Sequence, residues 1–250
     1  FGTLAIGSGH SVGREGPSIH MGAALGSLVG QRFAVEPDHL RILVSAGAAG
    51  AFAGALGIPL AGVVFALEVI LAEYSLVLFA PVVVSSVIAT VITANIPMAR
   101  EVFLEVPQAP VHSFWFLPLD WLIGLGAALV SFFLIRGVEA IYLSTQRLRI
   151  PDWAVPALGG VGVGGLAVAI PEVMGVSYGA LSRVFAGSLT LGALAALLAA
   201  KLAATAISLG TQSRGGAIGP SLFMGALVGA LAAGAARWIG IFSSVATGPA

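Results

Sequence analysis

Long apolar blocks run along this chain, punctuated by short polar joints. Residues 17–30 are apolar, and "QRFAVEPDHLR" after them reads as a polar turn. Residues 42–57 are small and apolar, with glycines at 47, 50, 54 and 57, and Pro59 restarts a helix running towards Glu73. Residues 75–97 carry no charge, whereas the stretch from Pro97 to Pro118 holds Arg100, Glu101, Glu105 and His112 and reads as a solvated loop. A long helix is predicted from about Asp120 to Leu148, interrupted by Arg136 and Glu139, which lie three apart on one face and can pair. "RLRIPDW" is the next polar joint, and its arginines point to a cytoplasmic loop. Further spans are predicted over 153–170, 189–210 and 217–240, with a short element over 177–187. A crossing helix needs roughly 20 apolar residues, and several of these pieces are shorter and broken by glycine or proline. The period-2 alternation of a membrane barrel is absent. The pattern predicts an all-α membrane protein of tilted and broken helices.

Composition sharpens that picture. Of the 250 residues 58% are hydrophobic and only 9% charged, with a mean hydropathy of +1.03. Soluble domains carry about 25% charged residues, so this chain could not cover a water-facing surface. The net charge is zero, which gives a nucleic acid nothing to bind. The chain has no cysteine, which excludes disulfides and thiol chemistry, and its four histidines (His10, His20, His39, His112) lack ligand spacing. No metal and no cofactor is expected. The chain opens inside apolar sequence at Phe1, so it reads as one transmembrane domain, incomplete at both ends. Its parts are a first half over about 1–97, a linker over 98–118 and a second half over about 119–250.

One internal repeat carries chemistry. "GPSIHMGAALG" at 16–26 recurs as "GPSLFMGALVG" at 219–229, about two hundred residues later. Pro17 and Pro220 each suit a first helical turn, where a missing N–H costs nothing. The glycines before them let backbone approach a ligand closely. Two half-helices are thus predicted to begin within the membrane, each exposing unpaired N–H groups. Such an N-terminus attracts an anion, by ~2 kcal/mol in partly buried settings. Paired interrupted helices in two halves of a repeat point to a transport site. Glu15 sits at one such start, where its carboxylate can occupy the anion position or leave it, as a tethered competitor. A lone charge at mid-bilayer costs ~2.5–3.5 kcal/mol, so a functional role is the default for it. The plainer alternative is a cap in which Glu15 pairs with Arg14.

"GREGP" at 13–17, "GGAIGP" at 215–220 and "PLAGVVFALE" at 59–68 together resemble the CLC family of chloride channels and chloride/proton antiporters. The resemblance implies an inverted repeat, a homodimer with one pore per subunit, no enzymatic activity, and chloride or a similar small anion as the transported species. It also implies a multi-pass protein of the lipid bilayer, in the plasma membrane. It places the gating carboxylate at Glu15 and the anion among the backbone amides of Gly13, Arg14, Glu15, Gly16, Gly216, Ala217 and Ile218. Ile218 stands where the family usually has phenylalanine, which makes the lining less bulky. Val69 stands where antiporters carry an internal proton glutamate, and on that ground voltage-gated chloride conduction is the expectation, with antiport the alternative. Glu68 is read as an ion-pair partner, and Arg214 as either a source of positive potential or a loop residue reaching water. Lys201, in "LLAAKLAATA", is read as a snorkelling or paired residue. From residue 173 onward Arg183, Lys201, Arg214 and Arg237 face no acid in sequence, a bias that suits an anion path.

Two motifs compete. "GHSVG" at 9–13 fits the hydrolase nucleophile elbow, which makes an intramembrane serine hydrolase using Ser11 a remote alternative. Pro17 and the glycines break the strand–turn–helix context that motif needs, and no later spanning helix supplies a histidine. "GVGVGG" at 160–165 fits a dinucleotide-binding loop, but no acid follows some twenty residues on. Small-residue helix packing explains that run better.

Overall fold

Apolar blocks this long satisfy their own backbone as helices, and in the computed structural model they do so throughout. The structure describes residues 2–96, 117–148 and 150–238. The helices are α1 (Gly2–Gly7), α2 (Glu15–Arg32), α3 (Pro37–Leu56), α4 (Pro59–Phe65), α5 (Leu76–Ala94), α6 (Leu117–Arg147), α7 (Val155–Ala169), α8 (Tyr178–Phe185), α9 (Leu191–Gly210) and α10 (Ile218–Trp238). Helix α4 continues as a π-helical turn over Ala66–Leu71, and a 3-10 turn, Pro171–Val173, follows α7. Five of the described helices are long and apolar enough to cross a membrane. The chain divides into two compact units, Arg14–Glu105 and a second that joins Thr3–Gly13 to Val106–Ala250. The expected solvated loop, with Arg100, Glu101, Glu105 and His112, lies outside the described residues.

Most elements start and stop where sequence chemistry places them. Pro37 and Pro59 each open a helix near its first position. Gly57 ends α3 in the left-handed conformation at φ 74°, and Ser75 caps α5 by accepting from the N–H of Leu78. Three boundaries differ from expectation. Helix α3 begins at Pro37, inside the predicted polar turn, because a polar first turn is compatible with an N-terminal proline. Residues 153–170 yield only the 15-residue α7, since "RLRIPDW" and Pro171 bound it on both sides. The helix after Pro59 turns π-helical at Ala66 and ends at Leu71, two residues short of Glu73.

In the unit Arg14–Glu105, α3 is the packing centre. A Cβ built on Gly22 of α2 would lie 2.2 Å from the carbonyl oxygen of Gly47 on α3, so the two backbones touch and neither position has room for a side chain. On its other side α3 receives Ser85, whose hydroxyl donates to the carbonyl of Ala46 at 2.6 Å. Ala46, Ala49, Val63, Ala66, Leu67, Leu71 and Val82 form the buried core. Arg41 on α3 donates to the carbonyl of Leu71 and so closes the end of the π-turn.

In the other unit α9 takes the central place, packed against α6, α7 and α10. Its cores join Leu194 and Leu197 to Phe223 and Leu227 of α10, and Ala206 to Leu134 of α6. Arg136 and Glu139 on α6 pair at 3.2 Å on an exposed face, as their spacing predicts. That helix turns a broad apolar surface outward, as suits contact with lipid tails.

Gly22→Leu is expected to destabilise the protein by about 1–3 kcal/mol or more, through forced separation of α2 and α3. Gly164→Ala, whose new Cβ meets nothing within 4 Å, is expected to be neutral or mildly stabilising. Thermal unfolding in detergent, read by size-exclusion chromatography, checks both.

Candidate functional site

The two repeat segments fold alike. Helix α2 starts at Glu15 and α10 at Ile218, matching positions of the repeat. Ser18 donates its N–H to the carbonyl of Arg14 at 3.0 Å, and Ser221 donates to that of Ala217 at 3.0 Å. Each first turn therefore closes at the same point, with proline third in the helix, where it has no N–H to orphan. The amides before that closure have no partner inside a helix. No acceptor is found among the described residues for the N–H groups of Arg14, Glu15, Gly16, Ala217 and Ile218.

Gly13 and Gly216 behave differently, and here the sequence expectation is corrected. The N–H of Gly13 donates to the carbonyl of Gly216 at 2.6 Å, and the N–H of Gly216 donates to the carbonyl of Gly13 at 2.8 Å. This two-bond antiparallel bridge consumes both amides, so neither is a free donor for an anion. Gly215 permits the approach: a Cβ there would sit 2.3 Å from Cβ of the fully buried Val12.

Glu15 is completely buried, and neither carboxylate oxygen has a hydrogen-bond partner among the described residues. Arg14 does not supply one. Its guanidinium turns to the carbonyl of Ala55 at 2.5 Å, and its Nε is itself unpaired, so no Arg14–Glu15 cap forms. A buried carboxylate without donors is among the costliest arrangements in a fold. It is sited next to unused N–H groups that favour negative charge.

The strand that leads into this start is held by hydroxyls on α9. Ser11 donates its N–H to Ser208 Oγ at 3.0 Å, and Ser11 Oγ bonds Thr205 Oγ1 at 2.9 Å. His10 Nδ1 lies 3.1 Å from Ser213 Oγ and 3.4 Å from Ser208 Oγ. The Ser11 hydroxyl thus faces a threonine while His10 turns to other serines, which removes the nucleophile–base pair a hydrolase needs. Neither the Thr205–Ser208 spacing nor its link to Ser11 was recognised in the sequence, although two polar residues one turn apart in an apolar helix are a usable signal.

The remaining candidates are spread out. Glu68 is exposed on the π-turn without an ion pair among the described residues, and Val69 beside it is 63% exposed. Arg214 is exposed and likewise unpaired. Lys201 does not snorkel: its side chain is fully buried, and its ammonium donates to three oxygens. Glu172 and Arg183 bridge at 2.6 Å, and the guanidinium holds the carboxyl of Glu172 below its ordinary value. Of the "GVGVGG" run, Gly160 faces the His10 ring and Gly162 faces Ile207, while a Cβ at Gly164 or Gly165 would meet nothing within 4 Å among the described residues.

Comparison with known proteins adds a family. The family model described as "Voltage gated chloride channel" matches residues 1–248. A Ralstonia nicotianae protein named "Putative chloride channel protein ClcB-like" is 32% identical over 231 residues, covering 91% of this chain and 54% of that protein. A Vibrio vulnificus protein named "H(+)/Cl(-) exchange transporter ClcA" is 30% identical over 239 residues, covering 92% of this chain and 50% of the other. Among solved structures, a slow cyanobacterial Cl-/H+ antiporter aligns with a TM-score of 0.76 at 25% identity, covering 97% of this chain and 57% of that one. The chain spans about half the length of these curated relatives.

Ser208→Val leaves the buried N–H of Ser11 without an acceptor and is expected to cost about 1–3 kcal/mol in thermal stability, where the exposed Ser144→Ala costs under about 0.5. The Glu172–Arg183 pair gives stability a pH dependence confined to acid. A depressed carboxyl pKa gives stability that is full above the ordinary value of 4.5 and fades as pH falls through the folded value. Arg183→Gln is therefore expected to leave the shape of any pH profile between pH 5 and 7 unchanged, as a flux titration over that range would show.

Proposed function

Since the chain belongs to the voltage gated chloride channel family, we propose that its parent protein moves chloride across a lipid bilayer in exchange for protons. The observation that carries this reading is Glu15, buried, without a donor among the described residues, and adjacent in sequence to amides that have no acceptor among them. The amides of Arg14, Glu15, Gly16, Ala217 and Ile218 are the donors proposed for the anion, and Glu15 is the carboxylate that competes with it. When the Glu15 carboxylate withdraws, chloride takes the unused N–H groups; when it returns, the anion is expelled. A carboxylate that alternates in this way is a natural proton carrier, which supplies the link to proton movement. The protein is proposed to be a multi-pass homodimer of the plasma membrane, working without a cofactor.

Exchange has the better support from relatives, since a Vibrio vulnificus relative and the aligned solved structure are named for it. Passive conduction remains the second reading because of one residue. Val69 occupies the position at which the resemblance implies an internal proton glutamate, and valine carries no proton. Under exchange, the proton must reach the inner side by a route that avoids Val69.

The test records chloride efflux and lumenal pH together from liposomes holding the full-length parent. Exchange predicts protons driven uphill by a chloride gradient, and conduction predicts chloride flux alone. Glu15→Gln is expected to keep chloride flux while abolishing proton movement and pH dependence. Complete loss of anion flux in a folded Glu15→Gln protein contradicts the competitor role.

A further inference from the structure

Lys201 is the largest fully buried side chain among the described residues, and no carboxylate lies within ion-pair distance of it. Three donors on its ammonium meet three oxygens: the carbonyls of Val173 at 3.0 Å and Gly175 at 2.5 Å, and Ser177 Oγ at 3.0 Å. The ammonium also lies 5.5 Å from the ring centre of Phe223, over its face. All three oxygens belong to one tight turn, in which Gly175 and Ser177 both take positive φ, at 58° and 66°. Such a turn is strained at Ser177, which has a Cβ, and it persists only where its surroundings fix it. The Ser177 hydroxyl donates to the carbonyls of Glu172 and Met174 within the turn, and an ammonium with three charge-assisted bonds fixes it from outside.

What the turn touches gives Lys201 a consequence. The N–H of Gly175, whose own carbonyl is held by Lys201, donates to the carbonyl of His10 at 3.2 Å. That same His10 carbonyl accepts from the N–H of Val12 at 2.8 Å, and Gly13 then pairs with Gly216. On the helix, Lys201, Thr205 and Ser208 recur at i, i+4 and i+7, so one face of α9 holds the His10–Gly13 strand at three levels. Thr205 and Ser208 hold it directly, and Lys201 holds it through the turn.

We propose that Lys201 is a positioning residue for the anion site, setting the register of the His10–Gly13 strand by clamping the Val173–Ser177 turn against it. This inference rests on the chloride reading above. It goes further by assigning chloride affinity in part to a lysine that does not touch the anion. Misplacing the strand shifts the pairing of Gly13 with Gly216, and with it the amides that follow each glycine in the chain. The effect should fall on anion affinity rather than on the maximal rate.

The experiment measures chloride binding by calorimetry on the full-length parent in detergent, with chloride flux in liposomes alongside. Lys201→Met keeps the apolar stem and removes the charge and all three bonds. It is expected to stay monodisperse, to weaken chloride Kd and raise chloride KM at least fivefold, and to leave maximal flux within twofold. A folded Lys201→Met protein with unchanged Kd and KM overturns the inference, because a lysine serving stability alone would lower the melting temperature without altering affinity. Should Lys201→Met fail to fold, Ser177→Ala decides. It removes one of the three acceptors and is expected to weaken Kd about twofold, and an unchanged Kd overturns the inference equally. A wild-type protein that binds no chloride overturns the chloride reading itself, a result distinct from either variant outcome.

Discussion

Backbone N–H groups in apolar surroundings must find acceptors, and the rest of this structure depends on which of them do not. In an α-helix an amide past the first turn finds its acceptor four residues back, and the first-turn amides are left open. At the starts of α2 and α10 these open amides are arranged in the same way twice. Gly13 and Gly216 satisfy each other, and the next amides along each segment are left without acceptors among the described residues. The bridge is therefore the device that ends one kind of pairing and exposes the next residues. It needs glycine beside it, since the fully buried Val12 packs where a Cβ of residue 215 would stand. Unused donors of this kind favour an anion. They also account for a carboxylate, Glu15, being tolerated there.

In each compact unit one helix of 20 residues takes the centre, α3 in one and α9 in the other. Helix α3 is lined with small residues, so that α2 packs backbone to backbone upon it. Helix α9 instead spends polar side chains on the strand before α2. Thr205, Ser208 and Lys201 are buried polar groups in a helix otherwise made of alanine, leucine, glycine and one isoleucine. A buried polar group is costly unless it finds a partner, and each of these three has at least one. Their partners all lie on the strand or on the turn behind it.

Much of this was legible in sequence. The all-α, interrupted character followed from block lengths and from the glycines and prolines between blocks. The repeat at 16–26 and 219–229 located both helix starts to within two residues, and the isolated Glu15 lies at the first of them. The Arg136–Glu139 pair followed from helical spacing alone. The parts that were not legible share a cause, since each depends on contacts between residues distant in the chain. Nothing local says that the amides of Gly13 and Gly216 are spent on each other. Lys201 resembles any lysine near a membrane surface until the Val173–Ser177 turn closes on it. The π-turn at Ala66–Leu71 adds one residue to a helical turn and leaves no mark in the apolar pattern.

The central claim is that an anion is held by the amides left over once Gly13 and Gly216 have paired. Bromide replaces chloride and scatters anomalously, so crystals of the full-length parent grown in bromide test the claim directly. The account predicts an anomalous peak within hydrogen-bond distance of the amides among Arg14–Gly16 or of Ala217 and Ile218. A folded protein whose bromide lies only beside exposed cations such as Arg214, with those amides bonded elsewhere, would contradict it.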